Sequence, residues 1–180
     1  IAPGAAIEAG LAMHAEGADL IDVGGESTRP GAAPVSSAEE QQRILPVIES
    51  LAASGVAVSV DTRHAATMRA ALAAGARIVN DVTALAHDPA AAAVVAAAHA
   101  PVVLMHMRGT PQTMMDHASY ADVAADVARE LSAQVAAAEA AGIARATIAI
   151  DPGIGFAKDH AHNVELLDRL AVLHNLGCHI

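Results

Sequence analysis

Asp61, Asn80 and Asp151 each stand directly after a short apolar run: Val56–Val60 (VAVSV), Arg77–Val79 (RIV) and Thr147–Ile150 (TIAI). Ionised carboxylates accept hydrogen bonds, and a carboxamide both donates and accepts. Together these groups suit a heterocycle carrying ring N–H and amino groups, such as an aminopyrimidine. Met105 ends a fourth run, Pro101–Met105 (PVVLM), where its thioether can lie flat against such a ring. The first run, Asp19–Val23 (DLIDV), leads into Gly24, Gly25, Glu26, Ser27, Thr28, Arg29 and Pro30. Arg29 offers a planar fork for phosphate or carboxylate, and the two glycines allow the backbone to approach a ligand closely. Nothing resembles a nucleophilic triad, because Ser27 has no obvious base and Cys178 no nearby partner.

Helical stretches must carry these strand ends. Between the runs lie expected helices over Ala5–Glu16, Ser37–Ala53, Ala65–Ala74, Pro89–Ala98, Tyr120–Ala141 and roughly Asn163–Leu173. Gly10 weakens the first, and Pro46 is a potential kink in the second. Ser36 or Ser37 can cap the second helix, with Glu39 and Glu40 complementing its dipole. Asp88 precedes a proline at a helix start. Gly17, Gly55, Gly75, Gly142 and Gly177 fall where helices should stop. This β-then-α rhythm, with nearly continuous apolar strands, indicates α/β architecture with a parallel sheet covered by helices. All carboxyl ends of such strands lie on one face, where ligands bind in this architecture. Polar groups at five successive strand ends therefore read as one shared site rather than separate caps.

Other polar residues invite blander readings. Asn163 suits a cap or loop-fixing role, His106 a hydrogen bond beneath the site, and Arg63 charge neutralisation. Glu26 can orient its own loop, and Tyr120 can begin a helix. Lys158 fits a solvated loop or a site about equally, and Arg108 stays open. His160 and His162 in a loop define no metal-ligand face. With 180 residues, 54% of them hydrophobic, the chain is long enough for one domain (1–180) with a real core. Aromatic residues make up only 1%, so the core is aliphatic. A net charge of -10 argues against nucleic-acid and anionic-membrane partners. The single cysteine suits a reducing compartment, and no signal peptide is visible.

The blocks DVGGESTRPGA (Asp22–Ala32), VSVDT (Val58–Thr62), IVNDV (Ile78–Val82), LMHMRGTPQTM (Leu104–Met114) and DPGIGFAKDHAHN (Asp151–Asn163) resemble the dihydropteroate synthase family, in its order and at compatible spacing. The resemblance implies a TIM (β/α)₈ barrel that condenses 6-hydroxymethyl-7,8-dihydropterin diphosphate with 4-aminobenzoate. The products are 7,8-dihydropteroate and diphosphate, a step of folate synthesis and the target of sulfonamides. It implies catalytic roles for Asp61 and Asp151. Asp61, Asn80 and Asp151 would grip the pterin edge, with Val82, Val103, Met105, Gly155 and Phe156 around its slot. Thr28 and Arg29 would serve the diphosphate, and with Pro30 the aminobenzoate. Asp61 and Asp151 would have to stay ionised in a partly desolvated slot, a state that hydrogen bonds from ligand N–H groups favour.

The resemblance also implies Mg²⁺, a cytoplasmic enzyme and a homodimer. The family's metal ligand falls ahead of Ile1, so no metal ligand is expected in this chain. Its late strands fall beyond Ile180, so the chain reads as the family's second strand through its fifth helix, with a stub of the sixth strand. Such an incomplete barrel is expected to be inactive alone. Two rivals stand beside this reading. One is a pterin-binding methyltransferase domain of the corrinoid-dependent type, against which the STRPG and LMHMRG segments argue. The other is a non-catalytic pterin-binding remnant.

Overall fold

A computed structural model describes residues 2–29 and 31–180, leaving Ile1 and Pro30 outside the described residues. The chain alternates strand and helix: α1 (Pro3–Ala15), β1 (Ile21–Gly24), α2 (Ser37–Ala53), β2 (Val58–Asp61), α3 (Ala65–Ala73), β3 (Ile78–Asp81) and α4 (Ala91–Ala98). It continues with β4 (Val102–Met105), α5 (Val123–Ala140), β5 (Ile148–Asp151) and α6 (His160–Asp168). Short 3₁₀ segments cover Met114–His117, Arg145–Thr147 and Leu170–Leu176.

The five strands pair in parallel in the order β1-β2-β3-β4-β5. Parallel connections are right-handed, so an order with no reversal puts every crossover helix on the same side. That is the wall of a barrel, whereas a doubly wound sheet reverses its strand order at a switch point. Three residues beyond the last helical segment, His179 makes a parallel bridge to Ala149 on β5, as the expected strand stub would.

Period-two alternation sorts each strand's side chains between the two faces. Ile21, Val23, Val58, Val60, Val79, Val102, Leu104, Ile148 and Ile150 are buried on the helix side. There they join Ile44, Ile48 and Leu51 of α2, Met68 of α3, Val95 of α4 and Leu131 of α5 in one aliphatic core. The α1–α2 pair is close enough that a methyl group on Gly10 would meet Leu51 Cδ2 at 2.9 Å, so Gly10 serves packing instead of ending the helix. Helix α2 runs unbroken through Pro46.

Several boundaries differ from the expectations. β1 starts at Ile21 because ladder pairing begins there, with Val58. Tyr120 precedes α5, whose cap is Asp122, its carboxylate accepting from the Ala125 N–H at 2.9 Å. The last expected helix begins earlier, at His160, and gives way to the 3₁₀ segment after Asp168. None of the described helices is long and apolar enough to cross a membrane.

Candidate active site at the carboxyl ends of the strands

The ladder register builds the site. Gly24 pairs with Asp61, Asp61 with Asn80, and Asn80 with Val103. Met105 pairs with Asp151 one pleat further on. Alternation puts Gly24, Asp61, Asn80, Val103, Met105 and Asp151 on the face away from the helices, at its carboxyl edge. Val82 continues the β3 alternation just beyond the strand and is buried. Below this row, Asp22 accepts hydrogen bonds from the Ser59 hydroxyl and, at 3.1 Å, from Asn80 Nδ2. Asn80 is thereby held by a carboxylate floor.

Asp61 is the electrostatically strained member. Burial pushes its carboxyl up to about 7, and the carboxylates of Asp22, Asp81, Glu40 and Glu26 add to the effect. Among the described residues no group donates a hydrogen bond to it. The site by itself therefore holds a proton on Asp61 more readily than water does, and the ionised form expected of it depends on donors from a bound ligand. Asp151 is fixed differently, its Oδ1 accepting the Gly153 N–H at 2.7 Å. Asp81, next to Asn80 in sequence, faces the helices instead. It holds the turn after β3 through the Thr83 N–H and hydroxyl, each at 2.7 Å, and the Leu85 N–H at 3.1 Å.

A small pocket lies over Asp61 and Val82 and takes in Thr28, Glu26 and Arg63 from two strand ends. Pro111 and Gln112 close its far side, with Gln112 Nε2 donating to the Ala32 carbonyl at 2.6 Å. Arg63 is a structural clamp here. Its Nε and Nη2 donate to the two oxygens of Glu26 at 2.9 and 2.7 Å, and Glu26 also accepts the Val35 N–H at 3.0 Å. Burial alone would raise the Glu26 carboxyl, but the bonds from Arg63 and Val35 outweigh it and hold the group low. Arg29 is exposed at the rim. Pro30 lies outside the described residues.

The Gly24-Gly25 pair also serves packing within the chain. A Cβ on Gly24 would stand 3.2 Å from both Cβ and Oδ2 of Asp61. One on Gly25 would stand 2.9 Å from Glu40 Cγ and from Ile44 Cγ2. The two residues make room for a site carboxylate and for α2.

The family model for pterin binding enzymes matches residues 2–180. This chain belongs to the pterin-binding enzyme family. Among curated family members, the dihydropteroate synthase of Mycobacterium leprae is 49% identical over 172 residues, covering 95% of this chain and 61% of that protein. A Xanthomonas albilineans dihydropteroate synthase solved with 4-aminobenzoic acid superposes with TM-score 0.91 at 50% identity, over 98% of this chain and 62% of that one. The same organism's enzyme in complex with 7,8-dihydropteroate matches with TM-score 0.86 at 44% identity, over 98% and 62% of the two chains. The chain thus spans about three fifths of the length of these family members.

The sequence does not disclose the burial of Glu40, and it leaves Lys158 open between loop and site. Glu40 is fully buried, and its Oε2 accepts from the Thr62 hydroxyl at 2.8 Å while Oε1 has no partner among the described residues. It lines the pocket with Asp61 as well as standing in the first turn of α2. Lys158 is 3% exposed, which excludes the solvated-loop reading. His106, Asn163 and Glu26 do what the bland readings expected. His106 is fully buried, its Nε2 donating to Glu130 at 2.9 Å. Asn163 Oδ1 accepts the Gly155 N–H at 2.8 Å. His162 joins Asp159 in a capping box. Arg108 makes a two-pronged pair with Glu130 and stacks 4.0 Å over the Tyr120 ring.

Proposed function

We propose that this chain is the pterin-binding part of a dihydropteroate synthase. The carrying observation is the register that makes Asp61 and Asn80 ladder partners and puts Asp151, two strands further on, at the same edge of the same face. Three acceptor-bearing side chains on one wall match the ring N–H and amino groups of a dihydropterin edge. Val82, Val103 and Met105 supply apolar walls for the ring, with Gly155 and Phe156 on the loop after β5. The named relatives, one of them solved with 4-aminobenzoic acid and with 7,8-dihydropteroate, support the same reading.

In this reading the chain contributes positioning and electrostatics rather than a covalent group. The bond between the pterin methylene and the diphosphate oxygen breaks, and its electron pair leaves with the diphosphate. The carboxylates of Asp61 and Asp151 stabilise the electron-poor ring system that remains. The 4-aminobenzoate nitrogen then forms the C–N bond with its lone pair and gives up one proton. Thr28 and Arg29 follow β1, and the resemblance gives them, with Pro30 of the sequence, to the diphosphate and aminobenzoate. A pterin N–H donated to Asp61 favours the ionised carboxyl, so binding completes the ionisation that the empty site resists.

Mg²⁺ belongs to this reading through the family resemblance alone. No three His, Cys, Asp or Glu side chains among the described residues converge to hold a metal. No step above runs through a metal ion. Cytoplasmic location and a homodimeric whole protein complete the proposal, on the resemblance and on the single cysteine.

Asp61→Asn tests the assignment. Loss of a charged hydrogen bond predicts pterin affinity weaker by roughly 10- to 100-fold, read by equilibrium binding of the pterin diphosphate. Unchanged affinity in a folded variant would sink it.

A further inference from the structure

The loop after β5 is held from beneath by one buried cation. Lys158 Nζ donates to the carbonyls of Gly153 and Phe156 at 3.1 and 2.9 Å and to His106 Nδ1 at 2.9 Å. Three donors thus meet three acceptors, and no polar group of this cluster is left open. His106 in turn donates from Nε2 to Glu130 on α5, so a continuous chain of bonds runs from α5 through the end of β4 to the β5 loop. The backbone supports the same geometry. Ala157 has φ +51, a left-handed conformation unfavourable for alanine, and it is fully buried. Such a conformation persists where its surroundings over-determine it, and here it turns Lys158 inward. Two further bonds pin the loop's flanks, from Tyr120 Oη to the Ala157 carbonyl at 2.9 Å and from the Gly155 N–H to Asn163.

We propose that Lys158 is a positioning residue, whose buried ammonium ties the loop carrying Gly153 and Phe156 to the end of β4 and so presents Asp151 and Phe156 to the pterin. This inference rests on the proposed function for its substrate. The ammonium supplies what no neutral side chain of its shape can, three donors radiating from one point into two carbonyls of one turn and the His106 Nδ1 beside it. Replacing it by methionine keeps the volume and leaves three buried acceptors unpaired.

The test is Lys158→Met in the full-length protein, compared with wild type. In the folded variant the pterin dissociation constant, and the KM for pterin diphosphate, should rise roughly tenfold or more. The KM for 4-aminobenzoate should stay within about twofold, since the tied loop faces the pterin. A variant that merely folds less would lose active protein with both KM values unchanged, and that result would overturn the proposal, as would equal losses for both substrates. If the variant does not fold, amide exchange in the wild type decides. The Gly155 and Phe156 amides should exchange as slowly as those of β5, and exchange at exposed-loop rates would refute the tie. A wild type without pterin affinity would refute the functional reading instead, while the exchange measurement still judges the tie itself.

Discussion

A Cβ on Gly153 would lie 2.0 Å from the carbonyl oxygen of His106, so the β5 loop crosses directly over the end of β4. Gly153 is also at φ +68, where an L side chain is strained. Both facts forbid any other residue without a shift of one strand end. Gly153→Ala should destabilise by roughly 3 kcal/mol or more, measured by denaturant unfolding. A midpoint and slope matching wild type would show that the crossing is looser than the geometry requires.

Asp61 gives the site a pH signature. Its raised folded value means that the folded state holds a proton more tightly than the unfolded chain. Stability should therefore fall as pH rises from about 4 to about 7 and level off above that. Asp61→Asn should remove this loss, stabilising the protein at pH 8 by at least ~1 kcal/mol, even as pterin binding weakens. Pterin affinity in wild type should rise with pH up to about 7, because the ligand prefers the ionised carboxyl. Thermal melts and binding isotherms across pH 5–9 check both signs, and pH-independent affinity would refute the linkage.

The Glu26–Arg63 clamp has the opposite sign. Glu26 is held below its ordinary carboxyl value, so its contribution is complete above pH 4.5 and fades as pH falls through the folded value. Glu26→Gln should cost roughly 2–4 kcal/mol, since it leaves the guanidinium of Arg63 without its buried counter-charge. The loss should be greatest at neutral pH and shrink in acid, as chemical unfolding at pH 7 and pH 3.5 can establish.

Ala157 offers a change in the favourable direction. Glycine adopts its left-handed backbone without penalty, so Ala157→Gly should leave stability unchanged or raise it by up to ~1 kcal/mol. Ala157→Val should lower it. Equal losses for both would mean that packing of the buried methyl, not backbone strain, dominates there.

Asp61, Asn80 and Asp151 were legible because two local facts suffice for them. Each follows an apolar run, and period two then settles which face its side chain takes. Asp81 needed more, since it shares the strand end with Asn80 and only the alternation sends it to the helices. Glu40 was not legible, because a glutamate in a first helical turn reads as a dipole partner. Its burial depends on α2 crossing over Gly25, a contact between elements distant in the fold's logic though near in sequence. Lys158 stays open between a loop cation and a site residue until the left-handed turn at Ala157 is known. Tyr120 was misplaced for a related reason: the Asp122 cap, not the aromatic, starts α5. The strand-to-helix rhythm was local and visible, while these burials are tertiary.

Tyr120 is the only tyrosine in a chain with no tryptophan. Its ring lies between the Arg108 guanidinium and the His162 ring, 5.0 Å from the latter, and its hydroxyl reaches the β5 loop. Ultraviolet emission from this chain therefore comes from one well-defined spot beside the proposed pterin slot. Excitation beyond the tyrosine band would leave the protein nearly dark, so a bound pterin could be seen by its own light without labelling.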